Sequence, residues 1–478
     1  MKPTSAQNDP QPPSATNRKQ RRKLDPIQQM NRRKFLQGLA ATGVTAATGG
    51  AVFHIARGVP PSERVNVACV GVAAQGGSIA RGIGGQNIAN VVALCDVHMD
   101  RDATKETLEQ FPNAKRFTDF RKMLEEMGDD IDAVTIGTPD HSHFPIAMLA
   151  MSMGKGVYVE KPLSNSFQET ELMMAAEKKY KVAAQLGNQG HSGNNYHQWK
   201  SWTEGGIIKD ITKVIGFMNS GRRWHGWGNV TGYESGASVP DGLDWDLWHA
   251  TAEMRPFSPR LHPGNWRGWY RYGNGAFGDW GPHILDTAHR FLNLGLPYEI
   301  EAVELDQPNP YIFPMASTIK FSFAARGDQP PVEVWWYDGT RNKPETPPGF
   351  DGELRNAGKF VIGKDLIFHG GTHGDTVRII PEEKMQDMRS QLPPIERDSN
   401  SNHHRNFLLG VKGEEQCRSS LDVAGPLSMV FNLGVICQEL GGKLQFDTET
   451  HRFTNSDEAN HLLAGPPPRQ GWEQYYRL

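Results

Sequence analysis

The chain has 478 residues, 37% of them apolar and 22% charged, with a net charge of −3. That length exceeds one ordinary core, so two domains plus a tail are expected, with ample apolar surface to bury. Residues 1–60 carry ten Lys/Arg against two Asp, leaving −11 on the remainder, and so acidic a body argues against nucleic-acid binding. Cys69, Cys95, Cys417 and Cys437 show no ligand spacing and read as buried free thiols, which leaves no disulfide scaffold and no thiolate metal site to expect.

The basic tail reads as an address. Asn31 to Ala56 joins Arg32-Arg33 to a weakly apolar stretch rich in Gly, Ala and Thr, too soft and short for a membrane span. With Phe35 and Leu36 in the motif positions it resembles a twin-arginine export signal. The resemblance implies the twin-arginine export machinery as a partner and a periplasmic destination, with a membrane anchor if the segment stays uncleaved. The plainer alternative is a disordered basic tail ahead of a cytosolic enzyme. Residues 1–60 are set apart from the fold.

From Arg64 onward strand and helix patterns alternate. VNVACVGV reads as a buried strand, GGSIARGIGG opens a helix after glycines, and ANVVALCDV is a second strand. A helix over Asp119 to Gly128 leads to the strand IDAVTIGTP, the helix HFPIAMLAMSMG and the strand KGVYVEKP. Apolar strands without polar alternation, separated by helices, predict a Rossmann-like, doubly wound parallel sheet over residues 63–187. After Gly190 the pattern changes to a helix from Asn195, a Trp/Gly/Pro-rich stretch to Asp279, a helix near Pro282 to Asn293, and strands of period two in EIEAVEL, ASTIKFSFAA and PVEVWWYDG. Residues 188–455 are thus expected to form an α+β domain with a large, mostly antiparallel open sheet, closed by the helix GPLSMVFNLGVICQELGG, and residues 456–478 a C-terminal tail.

Gly71 to Gly77 (GVAAQGG) falls between the first strand and a helix, where backbone N–H groups and a helix N-terminus can cradle a pyrophosphate. Gly71 and Gly76 fit the G-x-G-x-x-G spacing, Ala73 stands where the second glycine belongs, and Gln75 lies within the loop. Asp96 ends the second strand, where an acid binds ribose hydroxyls and repels a 2′-phosphate; NAD is therefore expected rather than NADP. Thr138, Pro139 and His143 sit on the same carboxyl edge of the sheet, as do Glu160 and Lys161. His141 and His143 lack a neighbouring carboxylate or thiolate at ligand spacing, so no metal is expected. Asn188, Gln189 and His191 leave the last Rossmann strand and should border a nicotinamide.

RYGNGAFGDWGPHILDTAHRF carries the other half of the chemistry. Pro282 suits a first helical turn with Asp279 or Gly281 as cap, which puts His283 one turn beyond a carboxylate able to orient it. Asp286 reads equally well as a partner of Arg290. In this order, the glycine loop, the strand-ending acid, TPDHSH, EKPL and G-x-x-G-D-x-G-x-H-x-x-D resemble the Gfo/Idh/MocA oxidoreductase family, the glucose-fructose oxidoreductase and inositol dehydrogenase group. HHRNFLLGVKG and SDEANHLL extend the likeness towards the C-terminus.

The resemblance implies Lys161 and His283 as a catalytic pair supported by Asp279, a tightly held NAD, a sugar or polyol substrate, and a homo-oligomer formed through the open sheet. The residue types agree: oxidising a secondary alcohol needs a group to take the hydroxyl proton and a positive charge beside the developing alkoxide. Nine of the twelve tryptophans lie between Trp199 and Trp280, where flat apolar faces suit sugars or plain core packing. Trp266 and Arg267 are the expected substrate wall, with His191, Asp279 and His283. The expected function is an NAD-dependent sugar or polyol oxidoreductase; the alternative is a redox-neutral NAD-dependent glycosidase or epimerase working by oxidation and elimination, and the third a non-catalytic sugar-binding protein, against which intact Lys161, Asp279 and His283 argue.

Overall fold

Short runs of Val, Ile and Ala with no polar alternation bury both faces, and in this computed structural model they form a parallel sheet. Its strands are β1 (Val65–Val70), β2 (Ala89–Cys95), β3 (Lys115–Phe117), β4 (Ala133–Ile136), β5 (Gly156–Val159) and β6 (Ala184–Leu186), in the order β3-β2-β1-β4-β5-β6. The order reverses between β1 and β4, and such a switch opens a crevice at the carboxyl ends of the strands. The structure describes residues 63–221, 223–233 and 236–478; the expected export signal at Arg32-Arg33 lies outside the described residues.

The second sheet has nine strands: β7 (Ile211–Met218), β8 (Glu299–Asp306), β9 (Ala316–Phe323), β10 (Val332–Asp338), β11 (Ala357–Gly363), β12 (Ile367–Gly370), β13 (Val377–Ile380), β14 (Lys443–Asp447) and β15 (Arg452–Phe453). They run in the order β13-β12-β11-β7-β10-β9-β8-β14-β15, antiparallel throughout except where β7 meets β10. Period-two patterning sets the inner face: Val332, Val334 and Trp336 of β10 are buried. Against that face lie the helices Gly275–Ile284 and Leu421–Leu440, with Phe277 at 5.5 Å from Phe321, 5.0 Å from Trp336 and 4.8 Å from Phe431 between ring centroids. Gly434 lets the two helices close, because a Cβ there would stand 2.5 Å from the Phe277 ring. Leu421–Leu440 is long and apolar enough to span a bilayer, yet it is buried as the central helix of this core. The expected fold class is the one observed.

Three expectations need correction. The C-terminal segment is no tail: Asp457–Ala464 is a helix capped by Ser456, and Trp472 and Tyr475 are buried in the Rossmann core beside Phe120. The Pro/Gly run between them conceals aromatic residues whose burial outweighs its loop-like composition. The helix expected to begin at Pro282 begins at Gly275, so Asp279 lies inside it rather than capping it. Cys417 is partly exposed, whereas Cys69, Cys95 and Cys437 are buried. The unforeseen helix Phe167–Tyr180 starts with a capping box, Ser166 accepting from the Glu169 amide at 3.3 Å.

Candidate active site

At the switch between β1 and β4 the chain leaves room only for glycine. Gly71 is left-handed at φ +75, and a Cβ on Gly76 would stand 2.0 Å from the Gly71 carbonyl oxygen and 2.9 Å from that of Gly137. The helix Ala74–Gly84 therefore starts against the ends of both strands, its first-turn N–H groups turned to the crevice. Ala73 has φ −101 and ψ 159, extended backbone that needs no glycine. Asp96 Oδ2 accepts from the Val72 amide and Oδ1 from that of His98, both at 2.9 Å, so the acid also braces the loop.

A cavity of about 230 Å³ follows this edge, lined by Gly71, Ala73, Gln75, Asp96, Thr138, Pro139 and Glu160 on one side and by Trp248, His262, Trp266 and Arg267 on the other. Thr138 Oγ1 and Arg101 Nε are buried around it without hydrogen-bond partners. A glycine cradle at a helix start, a strand-ending acid and unpartnered donors fit a dinucleotide. The side contributed by the Trp-rich segment is tied down: Asp244 N donates to Val97 O at 2.8 Å, His98 and His262 meet at 3.1 Å, and Arg469 Nε donates to Ala250 O at 2.6 Å.

Lys161 follows β5 and the cavity-lining Glu160 at the carboxyl edge of the sheet, 7% exposed. Its Nζ donates to Asp279 Oδ1 at 2.7 Å and to the Asp279 carbonyl at 3.1 Å. Arg223 Nε donates to Asp279 Oδ2 at 2.9 Å, and Arg267 Nε stands 3.5 Å from Oδ1. Burial alone would raise the Asp279 carboxyl, but Lys161, Arg267 and Arg223 together hold it well below the carboxylate range. Arg267 also reaches Asp140 at 3.8 Å and covers the Trp266 ring at 4.2 Å. Burial lifts Glu160 above its usual range against the pull of Lys161, while its Oε1 accepts from Gln75 at 3.4 Å and Gln189 at 3.1 Å.

His283 shares the helix face of Asp279, but the two are not hydrogen bonded. The expected Asp–His support is replaced by an Asp–Lys–Arg cluster, because both carboxylate oxygens are taken by cations. His283 Nδ1 is buried and unpartnered. Burial, then the charge of Lys161 and the neighbouring His373, keep the imidazole well below its ordinary pKa, so it is neutral.

Three other expected contacts fall away from the cavity. His143 spans two carbonyls, of Pro162 and Thr138, both at 2.9 Å, and serves to hold those loops together. Asn188 Oδ1 accepts from Ser419 Oγ at 2.7 Å, since the chain near Ser419 runs beside the end of β6. His191 is 1% exposed between Asp286 (3.3 Å) and Arg290 (2.9 Å), turned inward by the short turn Gln189–Ser192; Asp286 thereby pairs with His191 instead of Arg290. Trp245, Trp248 and Trp269 belong chiefly to a local aromatic core, and Trp199 and Trp202 to the main one. Sequence reasoning missed Arg223, Asp140 and His373, which reach the site from loops; only Asp140 lay within a motif already singled out.

Two models of one oxidoreductase family match the chain, together over more than half its length: the NAD-binding Rossmann fold at residues 65–188 and the C-terminal alpha/beta domain at residues 196–321. A glycosyl hydrolase family 109 protein of Shewanella pealeana is 27% identical over 182 residues, which are 33% of this chain and 40% of that protein; the match thus spans about two-fifths of that relative's length. Among solved structures, an NAD-binding protein from Listeria innocua aligns with a TM-score of 0.55 at 14% identity, covering 82% of this chain and 100% of that one. Aldose-aldose oxidoreductase from Caulobacter crescentus aligns with a TM-score of 0.52 at 16% identity, over 80% and 100% respectively, and both likenesses are likenesses of fold. With its glycine cradle, parallel NAD-binding sheet and matched C-terminal domain, the chain belongs to the Gfo/Idh/MocA oxidoreductase family.

Proposed function

We propose that the protein moves hydride between a secondary alcohol of a sugar or polyol and a nicotinamide that it keeps bound. The observation that carries this reading is the Lys161 ammonium, fixed 2.7 Å from Asp279 Oδ1 at the carboxyl edge of the NAD-binding sheet and beside a neutral His283. Bound NAD supplies the hydride acceptor. Lys161 donates to the substrate oxygen and places positive charge where alkoxide develops. His283, being neutral, has a ring nitrogen able to draw the hydroxyl proton. Asp279 holds Lys161 in place, and the Arg267–Trp266 pair offers a flat face and donors to a sugar ring. The anchored segment over the adenosine end of the cavity supports a cofactor that stays with the protein, as export through the Arg32-Arg33 signal would require; fractionation of cells for periplasmic protein tests the export.

A redox-neutral glycosidase is the second reading, favoured by the name of the Shewanella pealeana relative. There, bound NAD would take the hydride transiently, the acidified neighbouring C–H would give its proton to a base as the glycosidic oxygen leaves, protonated, as the alcohol, water would add across the resulting double bond, and the hydride would return, leaving no net redox change. Mass spectrometry of the purified protein should find bound NAD. Incubating the holoenzyme with free sugars, polyols and p-nitrophenyl glycosides then separates the readings: net reduced nicotinamide supports the dehydrogenase, and nitrophenol release without it supports the glycosidase. Protein that neither contains nor takes up a nicotinamide would sink both and leave a sugar-binding role.

A further inference from the structure

The turn between β12 and β13 lies beyond the residues that either family model matches, and it brings a second imidazole to the site. His373 stacks on His283 with ring centroids 3.9 Å apart and planes 21° apart, and Trp280 meets it edge-on at 5.2 Å. Its backbone N–H donates to the His283 carbonyl at 3.0 Å. His373 is itself left-handed at φ +52, which for a side chain of this size costs about 1–2 kcal/mol.

Several contacts hold that turn in place. Lys359 of β11, 0% exposed, donates to the Gly371 carbonyl at 3.3 Å. Asn195 N donates to Gly374 O at 3.2 Å, and a Cβ on Gly190 would lie 2.7 Å from the His373 carbonyl carbon, so the turn is seated with no room to spare. A buried lysine and a left-handed histidine are both unfavourable by themselves, and together they secure one ring against another.

The two rings differ in environment. His283 is enclosed, and a proton placed on it faces the Lys161 charge. His373 is exposed, its Nδ1 lies 2.6 Å from Thr372 Oγ1, and no hydrogen-bond partner stands at its Nε2 among the described residues. The charged groups facing it are Lys161 on one side and Asp286, Asp279 and Asp375 on the other, with His283 beneath. An alcohol oxidised at this site must lose a proton as well as a hydride, and an interior crowded with Lys161, Arg223 and Arg267 is a poor place to keep it.

We propose that His373 is a further catalytic residue of this site, touching the substrate hydroxyl region through Nε2 and passing the released proton to solvent. The hydride, with its electron pair, goes to the nicotinamide. The hydroxyl proton is taken by the neutral His283 while Lys161 stays an ammonium donor; because the two rings stack face to face, it crosses to His373 through water and then goes to bulk solvent, and the reverse path serves reduction. This inference rests on the oxidoreductase reading above. Its test uses the NAD-containing holoenzyme of wild type, His373→Ala and His373→Gln, mixed with the same sugars, polyols and p-nitrophenyl glycosides, reading single-turnover reduction of the bound nicotinamide. Expected is a fall of about 100-fold or more in both variants, with bound NAD unchanged by mass and part of the rate in the alanine variant restored by added imidazole. A wild-type rate in His373→Ala, or a loss that glutamine repairs and imidazole does not, overturns the inference alone. A wild-type holoenzyme whose nicotinamide none of these compounds reduces overturns the oxidoreductase reading with it.

Discussion

Replacing Gly76 by alanine should empty the cofactor cleft. The new Cβ would stand 2.0 Å from the Gly71 oxygen and 2.9 Å from the Gly137 oxygen, both backbone atoms at strand ends that no rotamer change can move. Ordinary contact begins near 3.4 Å, so the helix start must retreat by more than an ångström. Overpacking of this kind costs about 1–3 kcal/mol of stability. The larger effect falls on binding: two first-turn N–H groups withdrawn from a pyrophosphate forfeit about 1.5–3 kcal/mol each, which is roughly a hundred- to ten-thousandfold in affinity. Ala73→Gly is the control, because φ −101 at that position asks nothing of glycine. It should keep its cofactor and shift stability by less than about 1 kcal/mol. Mass spectrometry after gel filtration reads the cofactor, and thermal denaturation reads the fold. A Gly76→Ala protein with full NAD and wild-type Tm, or an Ala73→Gly protein without NAD, would refute the geometry.

Other outcomes are equally concrete. Lys161→Met removes the charge and the protons but keeps the bulk; turnover should be abolished with NAD still bound, and retained activity would refute the role given to Lys161. Arg469→Ala frees the Ala250 carbonyl and Asp246 side chain, bonded to it at 2.6 Å each, and loosens the segment over the cleft. At about 1.5–3 kcal/mol for such a bond, NAD should leave the variant some tenfold faster or more in a dialysis time course, and unchanged retention would show that the segment does not gate release. Burial raises the Glu169 carboxyl to about 7, with Tyr476 O–H donating to it at 2.6 Å. A raised folded-state pKa favours the fold below the ordinary carboxylate range and loses that advantage as pH rises to about 7, a span of roughly 3 kcal/mol. Glu169→Gln should therefore gain stability relative to wild type between pH 4.5 and 8 in denaturant melts, and parallel pH profiles would contradict it.

The legible parts of this fold were those whose signal is local. β1, β2, β4 and β5 are bare apolar runs because parallel strands are buried on both faces, and their carboxyl ends carry Asp96, Thr138 and Lys161 to one edge whatever else the chain does. Asp279 was found but its partner was not. Helical spacing offered His283, while the two oxygens are claimed by Lys161 from β5 and by arginines from the Trp-rich segment, long-range pairs that leave no periodic trace. Pro282 misled for a related reason: it ordinarily marks a first turn, but here a helix that begins among glycines accepts it near its end. Arg223 and His373 come from irregular loops, where neither spacing nor alternation points anywhere.

The charges around Asp279 bear on how rate should depend on pH. Lys161, Arg223 and Arg267 surround a single carboxylate that they keep ionised, so alkoxide is favoured there and a retained proton is not. A proton acceptor at the exit works only when unprotonated. Partial burial of the face stacked on His283 first, and the Lys161 charge next, lower the His373 pKa from its ordinary 6.5, while Asp286, Asp279 and Asp375 pull it back up. Hydride transfer in the wild type should consequently climb with pH only below that value and be flat from neutrality upward as far as His373 governs it. Removing the ring leaves bulk hydroxide and water to take the proton. The residual rate of His373→Ala should then rise by about tenfold per pH unit across the neutral range, where the wild type is level, and imidazole should flatten it again. Stopped-flow nicotinamide absorbance over that range reads both curves. If the variant is merely slower and its curve runs parallel to the wild type, the stacked ring positions His283 and moves no proton.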